Sequence, residues 1–410
     1  MTNKKENKLI VGLDIGTSKV LTIVGQVNAD NQIEVVGYGH HPSVGMRKGV
    51  VANIDATVNA IQRSVEDAEL MTGCQLISVY AGIAGAHIRS VNSSGAVRIA
   101  GGEVTQTDVD RVIEAAQALN VPKNEKILHV IPQEYVIDDQ DGVRHPIGMT
   151  GVRLEVNLHI VMGSVSSEQN IIKCIRRCGL EVDEIILEQL ASSASVLSED
   201  EKELGVCLVD IGGGTTDIAV YIDGAIRHTA VIPVAGDQIT NDIAVVLRTP
   251  KQSAHDIKHK YGVALTQMAD SGQSVDVPTA GDRETRKLSQ QTLSEIIEPR
   301  IEELYGLIRE ELVNHNLAPL IRSGIVLTGG SSKMPGMVEL AEEVFHMPVR
   351  LGMPESVGGL SEVVKNPIYA TGVGLVQFGH QELESNEHRT SEEVSESILS
   401  RLSAWFKNNF

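Results

Sequence analysis

The stretch "VCLVDIGGGTTDIAVYIDG", residues 206–224, is the most informative part of the sequence about the fold, because an apolar strand is followed by a glycine-rich turn and then by a second apolar strand. The same plan occurs near the start of the chain in "LIVGLDIGTSKVLTIVGQV", residues 9–27, with Asp-Ile-Gly at the same place in each copy. Repetition of one unit at two distant places predicts a duplicated architecture of two similar α/β halves.

The length and net charge of the chain restrict the number of domains and the class of partner that it can have. The chain has 410 residues, which is too long for one compact core and indicates two domains or more. The net charge of −19 argues against nucleic-acid binding as the main role, since a phosphate backbone would be repelled. The cysteines form no CxxC pair and have no histidine at metal-ligand spacing, which predicts core thiols in a reducing cytosol: Cys74, Cys174, Cys178 and Cys207.

Targeting signals are not apparent in the sequence. The N-terminal "MTNKKENK" is not followed by the longer apolar region of a signal peptide, and no stretch of about 18 apolar residues occurs. The sequence therefore predicts a cytoplasmic chain without a membrane-spanning helix.

Residues 84–159 have a different rhythm and are predicted to form a small inserted α/β domain. Strands are expected near residues 96–99, 127–136 and 154–160, and a helix should open with the capping-box pattern at Thr105. A further polar region, residues 236–301, is predicted to be a smaller appended subdomain.

Three glycine-rich motifs carry the predicted chemistry. In "DIGGGTTD" (210–217) the glycines let backbone N–H groups approach an anion, while an aspartate beside a phosphate requires a cation between them. "DIGTSK" (14–19) offers the same groups plus a lysine, and "TGGSSKMPG" (328–336) lies between a strand and a helix. One such turn alone is more often only a tight turn. Three compatible motifs in this order favour a nucleotide site, although no GxxxxGK[ST] P-loop is present. The residues predicted to contact the nucleotide from these motifs are Asp14, Gly16, Thr17, Ser18, Lys19, Asp210, Gly212, Gly213, Gly214, Thr215, Thr216, Gly329, Gly330, Ser331 and Lys333.

With these motifs the chain resembles the actin–Hsp70–sugar-kinase superfamily. "LEQLASSA" (187–194) and "NPIYATGVG" (366–374) are similar to its two connecting helices. The resemblance implies two RNase H-like domains that close on ATP and Mg²⁺. It further implies that Asp14 and Asp210 hold Mg²⁺ and that Glu188 and Asp210 are the catalytic positions, with Glu188 near the attacking water.

Within this superfamily the chain resembles the FtsA family of bacterial cell-division proteins. The inserted segment, "AGDQITNDIA" (235–244) and "QTLSEIIEPRIEEL" (291–304) carry this likeness, together with a polar segment before an apolar terminal helix. The resemblance adds Gly236, Asp237 and Lys258 to the nucleotide site. It places His255 where the family has an acidic residue, a departure at the ribose contact. The implied division is subdomain 1A at 1–83 and 160–195, subdomain 1C at 84–159, subdomain 2A at 196–235 and 302–378, subdomain 2B at 236–301, a flexible linker at 379–390 and a membrane-targeting amphipathic helix at 391–410.

The family resemblance also implies partners. These are the C-terminal peptide of the tubulin-like protein FtsZ, other copies of the chain in a filament, and other proteins of the division machinery. The FtsZ peptide is expected on subdomain 2B, with Arg300 as the best cation and Arg286 and Lys287 as weaker ones. The alternative for all three residues is that they are solvated surface charges with no role in peptide binding.

The C-terminal segment "SILSRLSAWFKNNF" (397–410) contains the only tryptophan of the chain. Its apolar residues recur at helical spacing, which predicts an amphipathic helix that lies in an anionic membrane surface. A terminal helix docked on its own core is the alternative. The residues predicted to enter the membrane are Ile398, Leu399, Leu402, Trp405, Phe406 and Phe410.

We therefore predict a peripheral adaptor on the cytoplasmic side of the inner membrane at the division site, where it holds the FtsZ ring. Its ATPase activity, if any, is expected to be weak or regulatory. Two alternatives remain open on the sequence alone. One is a small-molecule kinase of the same fold, and the other is a pilus-assembly scaffold of the PilM type, which a partner's peptide holds to the membrane.

Overall fold

The computed structural model describes residues 8–278 and 285–387. The strands of this part are β1 (Leu9–Ile15), β2 (Lys19–Val27), β3 (Ile33–Pro42), β4 (Met46–Arg47), β5 (Val50–Val51), β6 (Ser78–Ile83), β7 (Arg89–Arg98), β8 (Glu125–Ile137), β9 (Gln140–Val143), β10 (Arg153–Ser164), β11 (Glu181–Leu187), β12 (Val206–Ile211), β13 (Thr216–Ile222), β14 (Ala225–Ile232), β15 (Ser274–Val277), β16 (Arg286–Ser289), β17 (Ile325–Thr328), β18 (Val349–Leu351) and β19 (Gly358–Gly359).

The helices of the same residues are α1 (Ile54–Thr72), α2 (Gln106–Ala116), α3 (Val165–Arg177), α4 (Glu188–Val196), α5 (Glu199–Leu204), α6 (Gly236–Leu247), α7 (Lys251–Tyr261), α8 (Gln290–Asn314), α9 (Met337–Phe345), α10 (Ser361–Val364) and α11 (Ala370–Glu387).

Two sheets of the same topology confirm the predicted duplication. One has the strand order β11-β6-β1-β2-β3-β19 and the other has the order β14-β13-β12-β17-β18. In each, three consecutive antiparallel strands are extended by a parallel strand beside the first: β6 beside β1, and β17 beside β12. Strands β1 and β12 are buried almost throughout, as expected for central strands covered on both faces.

The inserted segment forms its own sheet, in the order β7-β10-β8-β9, with α2 packed against it. Thr105 caps α2, and Thr105 and Asp108 form the capping box that the sequence predicts. Val109, Val112 and Ala116 of α2 are buried in a separate apolar core. The prediction of an inserted α/β subdomain is therefore confirmed, although its strands are longer than the sequence pattern indicates.

Helices α4 and α11 pack against each other between the two halves. A Cβ atom added to Gly374 on α11 would lie 1.8 Å from the carbonyl oxygen of Ala191 on α4, so the two backbones are in direct contact. Because only glycine permits this approach, the crossing point holds both helices in one place. These helices carry residues of the candidate site at their N-terminal ends.

The end of the described chain differs from the linker prediction. Helix α11 continues to Glu387, so the first residues of the predicted linker at 379–390 are helical. His380 and Glu382 are buried, and this burial explains why a polar sequence without an apolar period still forms a helix there. The predicted membrane helix at 391–410 lies outside the described residues.

Candidate functional site

A cavity of about 540 Å³ lies where the two halves face each other. Its walls come from both hairpin turns, from the third glycine motif, and from α4, α6, α7 and the start of α11. The predicted site residues that line it are Asp14, Gly16, Thr17, Ser18, Lys19, Glu188, Asp210, Gly212, Gly213, Gly214, Thr215, Lys258, Gly329, Gly330, Ser331 and Lys333.

The two hairpin turns are built alike at the level of single hydrogen bonds. In the first, the N–H of Gly16 donates to the carbonyl of Lys19 at 2.9 Å. In the second, the N–H of Gly212 donates to the carbonyl of Thr215 at 3.0 Å. The duplicated sequence therefore gives two equivalent turns, each following a buried aspartate at the end of its strand.

The glycines of the second turn are required by its contact with the first. A Cβ atom on Gly213 would lie 1.9 Å from Oγ of Ser18, and one on Gly214 would lie 2.5 Å from Oγ1 of Thr17. The backbone of the second turn thus packs directly against the side chains of Thr17 and Ser18 in the first. Hydroxyl groups and backbone from both halves meet across a space that an anion can enter.

Acidic side chains are concentrated beside these turns. Asp14 forms an ion pair with Lys19, and Asp210 accepts a hydrogen bond of 2.6 Å from the hydroxyl of Ser192. Burial, together with the neighbouring charge of Asp14, raises the pKa of Asp210. Burial and the charges of Asp14, Asp217 and Asp210 raise the pKa of Glu188 well above its usual value. For Lys19, burial opposes the charged form, but the Asp14 carboxylate outweighs it, so the pKa is raised.

Asp217 completes this acidic group from β13. Its Oδ2 accepts a hydrogen bond of 3.0 Å from Thr215, whereas its buried Oδ1 has no hydrogen-bond partner among the residues that the structure describes. Burial and the charge of Asp210 raise its pKa to about 8. These buried carboxylates have few hydrogen bonds or positive charges to compensate their own charge. A divalent cation bound beside them would supply that compensation.

The opposite end of the cavity is formed by α6, α7 and the third motif. Nζ of Lys258 donates a hydrogen bond of 2.7 Å to the carbonyl of Gly236, and burial lowers the pKa of Lys258 to about 8 despite nearby Asp237. The hydroxyl of Ser331 donates to the carbonyl of Gly212 at 2.7 Å. The first bond joins α7 to α6, and the second joins the third motif to the second turn.

Three predicted residues do not line the cavity: Thr216, Gly236 and Asp237. Thr216 is fully buried and its hydroxyl donates to the carbonyl of Val234 at 2.7 Å, so it supports β13 instead. Asp237 contacts the second turn through its backbone N–H, which donates to the carbonyl of Gly213 at 2.7 Å. Gly236 lies just behind the wall, between Ser331 and Lys258.

Several lining residues were not predicted from the sequence: His40, Asp217, His259, Ile368 and Thr371. Thr371 donates to Asp210 at 3.4 Å, and His40 reaches the cavity from β3. Three of these had a signal in the sequence, because Asp217 ends the "DIGGGTTD" motif and Ile368 and Thr371 lie in "NPIYATGVG". His255, which the sequence singles out, does line the cavity.

The lining residues fit a polyphosphate with a divalent cation. The turns supply backbone N–H groups and hydroxyls for phosphate oxygens, Lys19 and Lys258 supply positive charge, and the buried carboxylates require a cation. No helix in the described residues combines the length and apolar character needed to cross a bilayer.

Comparison with solved structures shows which fold the chain has. The chain is similar to the protein in a "PilM-PilN type IV pilus biogenesis complex" with a TM-score of 0.66 and 16% identity, over 90% of this chain and 98% of that one. It is similar to MreB5 of Spiroplasma citri bound to ADP with a TM-score of 0.59 and 15% identity, over 93% of this chain and 99% of that one. At such low identity the likeness shows the fold alone, and the fold is actin-like, as the sequence predicts.

Family comparisons then identify the particular family. Residues 207–374 match the family model of cell division protein FtsA, and residues 85–162 match the SHS2 domain inserted in FtsA. The cell division protein FtsA of Pseudomonas aeruginosa is 57% identical over 417 residues, which cover 100% of both chains. That of Escherichia coli strain K12 is 44% identical over 424 residues, again covering 100% of both. The chain belongs to the FtsA family of cell division proteins, and the predicted resemblance is confirmed.

Proposed function

We propose that the protein is an ATP-binding, actin-like adaptor that holds FtsZ polymers at the inner face of the cytoplasmic membrane during cell division. The observation that carries the proposal is the cavity between two equivalent glycine turns, in a chain of the FtsA family. The solved neighbour MreB5 was bound to ADP, which supports a nucleotide as the ligand.

ATP with Mg²⁺ is the ligand that we assign to the cavity. The phosphates would contact the two turns and Lys19, while the nucleoside would lie toward Lys258 and the third motif. Asp14 and Asp210 would hold Mg²⁺, which supplies charge neutralisation for the phosphates when bound. Glu188, at the first position of α4, would hold a water molecule near them. Burial and the neighbouring carboxylates raise the pKa of Glu188 in the free protein, which favours its protonated form, and a bound cation would favour its charged form.

The FtsZ peptide is assigned to the outer face of α6. Val245 and Val246 on this helix are 75% and 58% exposed. Arg300 is held beside them by Asp242 of α6, at 2.5 Å from Nε to Oδ2, and by Glu303. The guanidinium of Arg286 donates to the carbonyl of Leu247, the last residue of α6. Two arginines thus flank an exposed apolar surface, which suits a peptide of mixed apolar and charged residues.

Attachment to the membrane is assigned to residues 391–410. Burial of a large apolar side chain contributes roughly 1.5–3 kcal/mol, but partial insertion and helix ordering consume much of this gain. One copy would therefore bind weakly. In a filament, attachment of one copy would raise the effective concentration of its neighbours at the membrane, and the filament would therefore bind the membrane more tightly than one copy. Self-association and membrane attachment would thus reinforce each other.

Membership of the FtsA family favours cell division over the two alternatives raised by the sequence. The likeness to the pilus protein, at 16% identity, extends to the fold and no further. A kinase would transfer phosphate to an added metabolite, and nothing in the family match requires such a substrate.

Binding of a synthetic FtsZ C-terminal peptide, followed by fluorescence anisotropy, tests the partner assignment. A chain lacking residues 391–410 should bind it, and Arg300→Glu should weaken binding by at least about tenfold through charge reversal. Lys123→Glu is the matched control, because it makes the same reversal of charge at an exposed lysine of the inserted subdomain, outside α6 and subdomain 2B. Equal affinity of wild type and Arg300→Glu would refute the assignment.

A further inference from the structure

A second cluster of possible ligands lies away from the cavity, where β14 meets the end of α8. It consists of His228 on β14, Glu311 on α8 and His315, which caps that helix. Each residue can offer one ligand atom, and the three atoms all lie within 4.8 Å of one another. We infer that these three residues form a binding site for a divalent transition-metal ion, with Zn²⁺ as the best fit.

The distances are close to those of a coordination sphere. Nε2 of His228 lies 2.8 Å from Oε1 of Glu311, and Nδ1 of His315 lies 3.5 Å from the same oxygen. Ligands about 2.0–2.1 Å from a tetrahedral Zn²⁺ are separated by about 3.3 Å. Nδ1 of His315 also lies 3.0 Å from the carbonyl oxygen of Glu311, and the two imidazole rings have centroids 4.1 Å apart, so both side chains would rotate to admit the ion.

The fold brings the three residues together in a fixed way. Glu311 and His315 are one helical turn apart, so both project from the same side of α8. His228 is held between two contacts of β14 with the inserted subdomain, since Arg227 binds Glu134 at 3.2 Å and Thr229 contacts His159 at 2.9 Å. The backbone of β14 is thus held in place while His228 faces α8.

Exposure of the cluster suits a site with one open position. The side chain of His228 is 13% exposed, whereas those of Glu311 and His315 are 30% and 47% exposed. Water can therefore supply the fourth ligand, as in other sites with three protein ligands. The site also lies at the C-terminal end of a 25-residue helix whose last turn carries no basic residue. The helix dipole favours a cation at this end.

The ligands of this cluster differ in chemistry from those of the Mg²⁺ site proposed in the cavity. Mg²⁺ and Ca²⁺ prefer oxygen ligands, whereas two imidazoles and one carboxylate are typical of Zn²⁺ and related ions. The ion would connect β14, which contacts the inserted subdomain, to α8, which carries Arg300. It would act by stabilising this junction, because it binds only the folded arrangement.

Isothermal titration of the tag-free, nucleotide-free chain with zinc chloride tests the inference, in a background carrying Cys74→Ser. Cys74 is the exposed one of the four cysteines, so this background removes an adventitious thiol ligand. We expect one Zn²⁺ per chain in wild type and a loss of affinity of at least about tenfold in His315→Ala and in His228→Ala. Thermal unfolding should show a zinc-dependent rise in Tm that both variants lack.

A matched control removes another histidine pair one helical turn apart. His255 and His259 on α7 have ring centroids 4.3 Å apart, so the double variant His255→Ala/His259→Ala tests for zinc bound there. It should keep the stoichiometry and affinity of wild type. His315 is at the exposed end of α8, so its variant should remain folded even where His228→Ala does not. The inference is overturned by absence of zinc binding in wild type, by unchanged binding in His315→Ala, or by loss of binding only in the double control.

Discussion

The backbone N–H of Leu187 donates a hydrogen bond of 3.0 Å to Nε2 of His129. His129 is on β8 of the inserted subdomain and is fully buried, while Leu187 is the N-cap of the helix that begins with Glu188. The inserted subdomain therefore holds the start of α4, at the position where Glu188 enters the cavity. A neutral imidazole is required for this bond, because Nε2 must accept.

The first prediction concerns the pH dependence of this contact. Burial lowers the pKa of His129 to about 4, whereas the unfolded chain has the ordinary histidine value of about 6.5. Between these values the unfolded state binds the extra proton, so the contribution to stability is complete at pH 7 and is lost as the pH falls toward 4. Chemical denaturation gives the difference in free energy of unfolding between wild type and His129→Gln. This difference should be about 2 kcal/mol less favourable to wild type at pH 5 than at pH 7.

His145→Gln serves as the control for this series, because His145 is an exposed histidine of the same subdomain. Its stability relative to wild type should not change between pH 7 and pH 5. A pH-independent difference between wild type and His129→Gln would show that the imidazole is not held neutral.

The second prediction concerns the contact between the two glycine turns. Gly213→Ala places a Cβ atom 1.9 Å from Oγ of Ser18, so the turns must separate. Because the phosphate groups are proposed to bind both turns at once, affinity for ATP should fall by at least about tenfold. Titration with a fluorescent ATP analogue measures the change.

Adding Ser18→Gly to Gly213→Ala removes the clashing hydroxymethyl group and should recover part of the lost affinity. Gly101→Ala is a neutral control, since a Cβ atom there has open space around it. Wild-type affinity in Gly213→Ala would mean that the nucleotide does not bind between the turns.

The third prediction uses the lowered pKa of Lys258. In the free protein this pKa is about 8, so the ammonium loses its proton as the pH rises from 7 to 9. An anionic nucleotide binds the charged form better, and its affinity should fall several-fold over that range. Burial also lowers the pKa of the neighbouring His259, which therefore stays neutral throughout.

Lys258→Met should bind more weakly at pH 7 and should lose most of this pH dependence. Isothermal titration in buffers of different ionisation enthalpy should also detect proton uptake at pH 8 in wild type alone. The same pH profile in both proteins would exclude Lys258 from the nucleotide site.

Much of the fold could be predicted from the sequence, because the repeated Asp-Ile-Gly motif encodes a local turn and a buried strand. Asp14, Asp210 and the glycines were found in this way, and the structure brings them together. Thr216, which is predicted to contact the nucleotide, does not line the cavity, since the motif does not show which of two adjacent threonines faces inward. His40 and Thr371 reach the cavity from distant elements, and their positions depend on sheet order and on the crossing of α4 with α11.

The end of α11 is a helical segment that the sequence pattern did not predict. Its polar residues have no apolar period, yet His380 and Glu382 are buried, and His380 contacts Asn31 at 3.3 Å. This helical segment is stabilised by tertiary contacts rather than by its own periodicity, and sequence reasoning therefore placed the linker too early.

Co-sedimentation of the full chain with anionic vesicles and FtsZ polymers, with ATP and Mg²⁺ present, measures whether the chain links FtsZ to a membrane. The adaptor account predicts recovery of FtsZ with the vesicles only when the chain is present. It also predicts loss of both proteins from the vesicles on deletion of residues 391–410, and loss of the chain itself with Trp405→Glu. Failure of the full chain to bring FtsZ to the vesicles, or equal recovery with the shortened chain, would contradict the account.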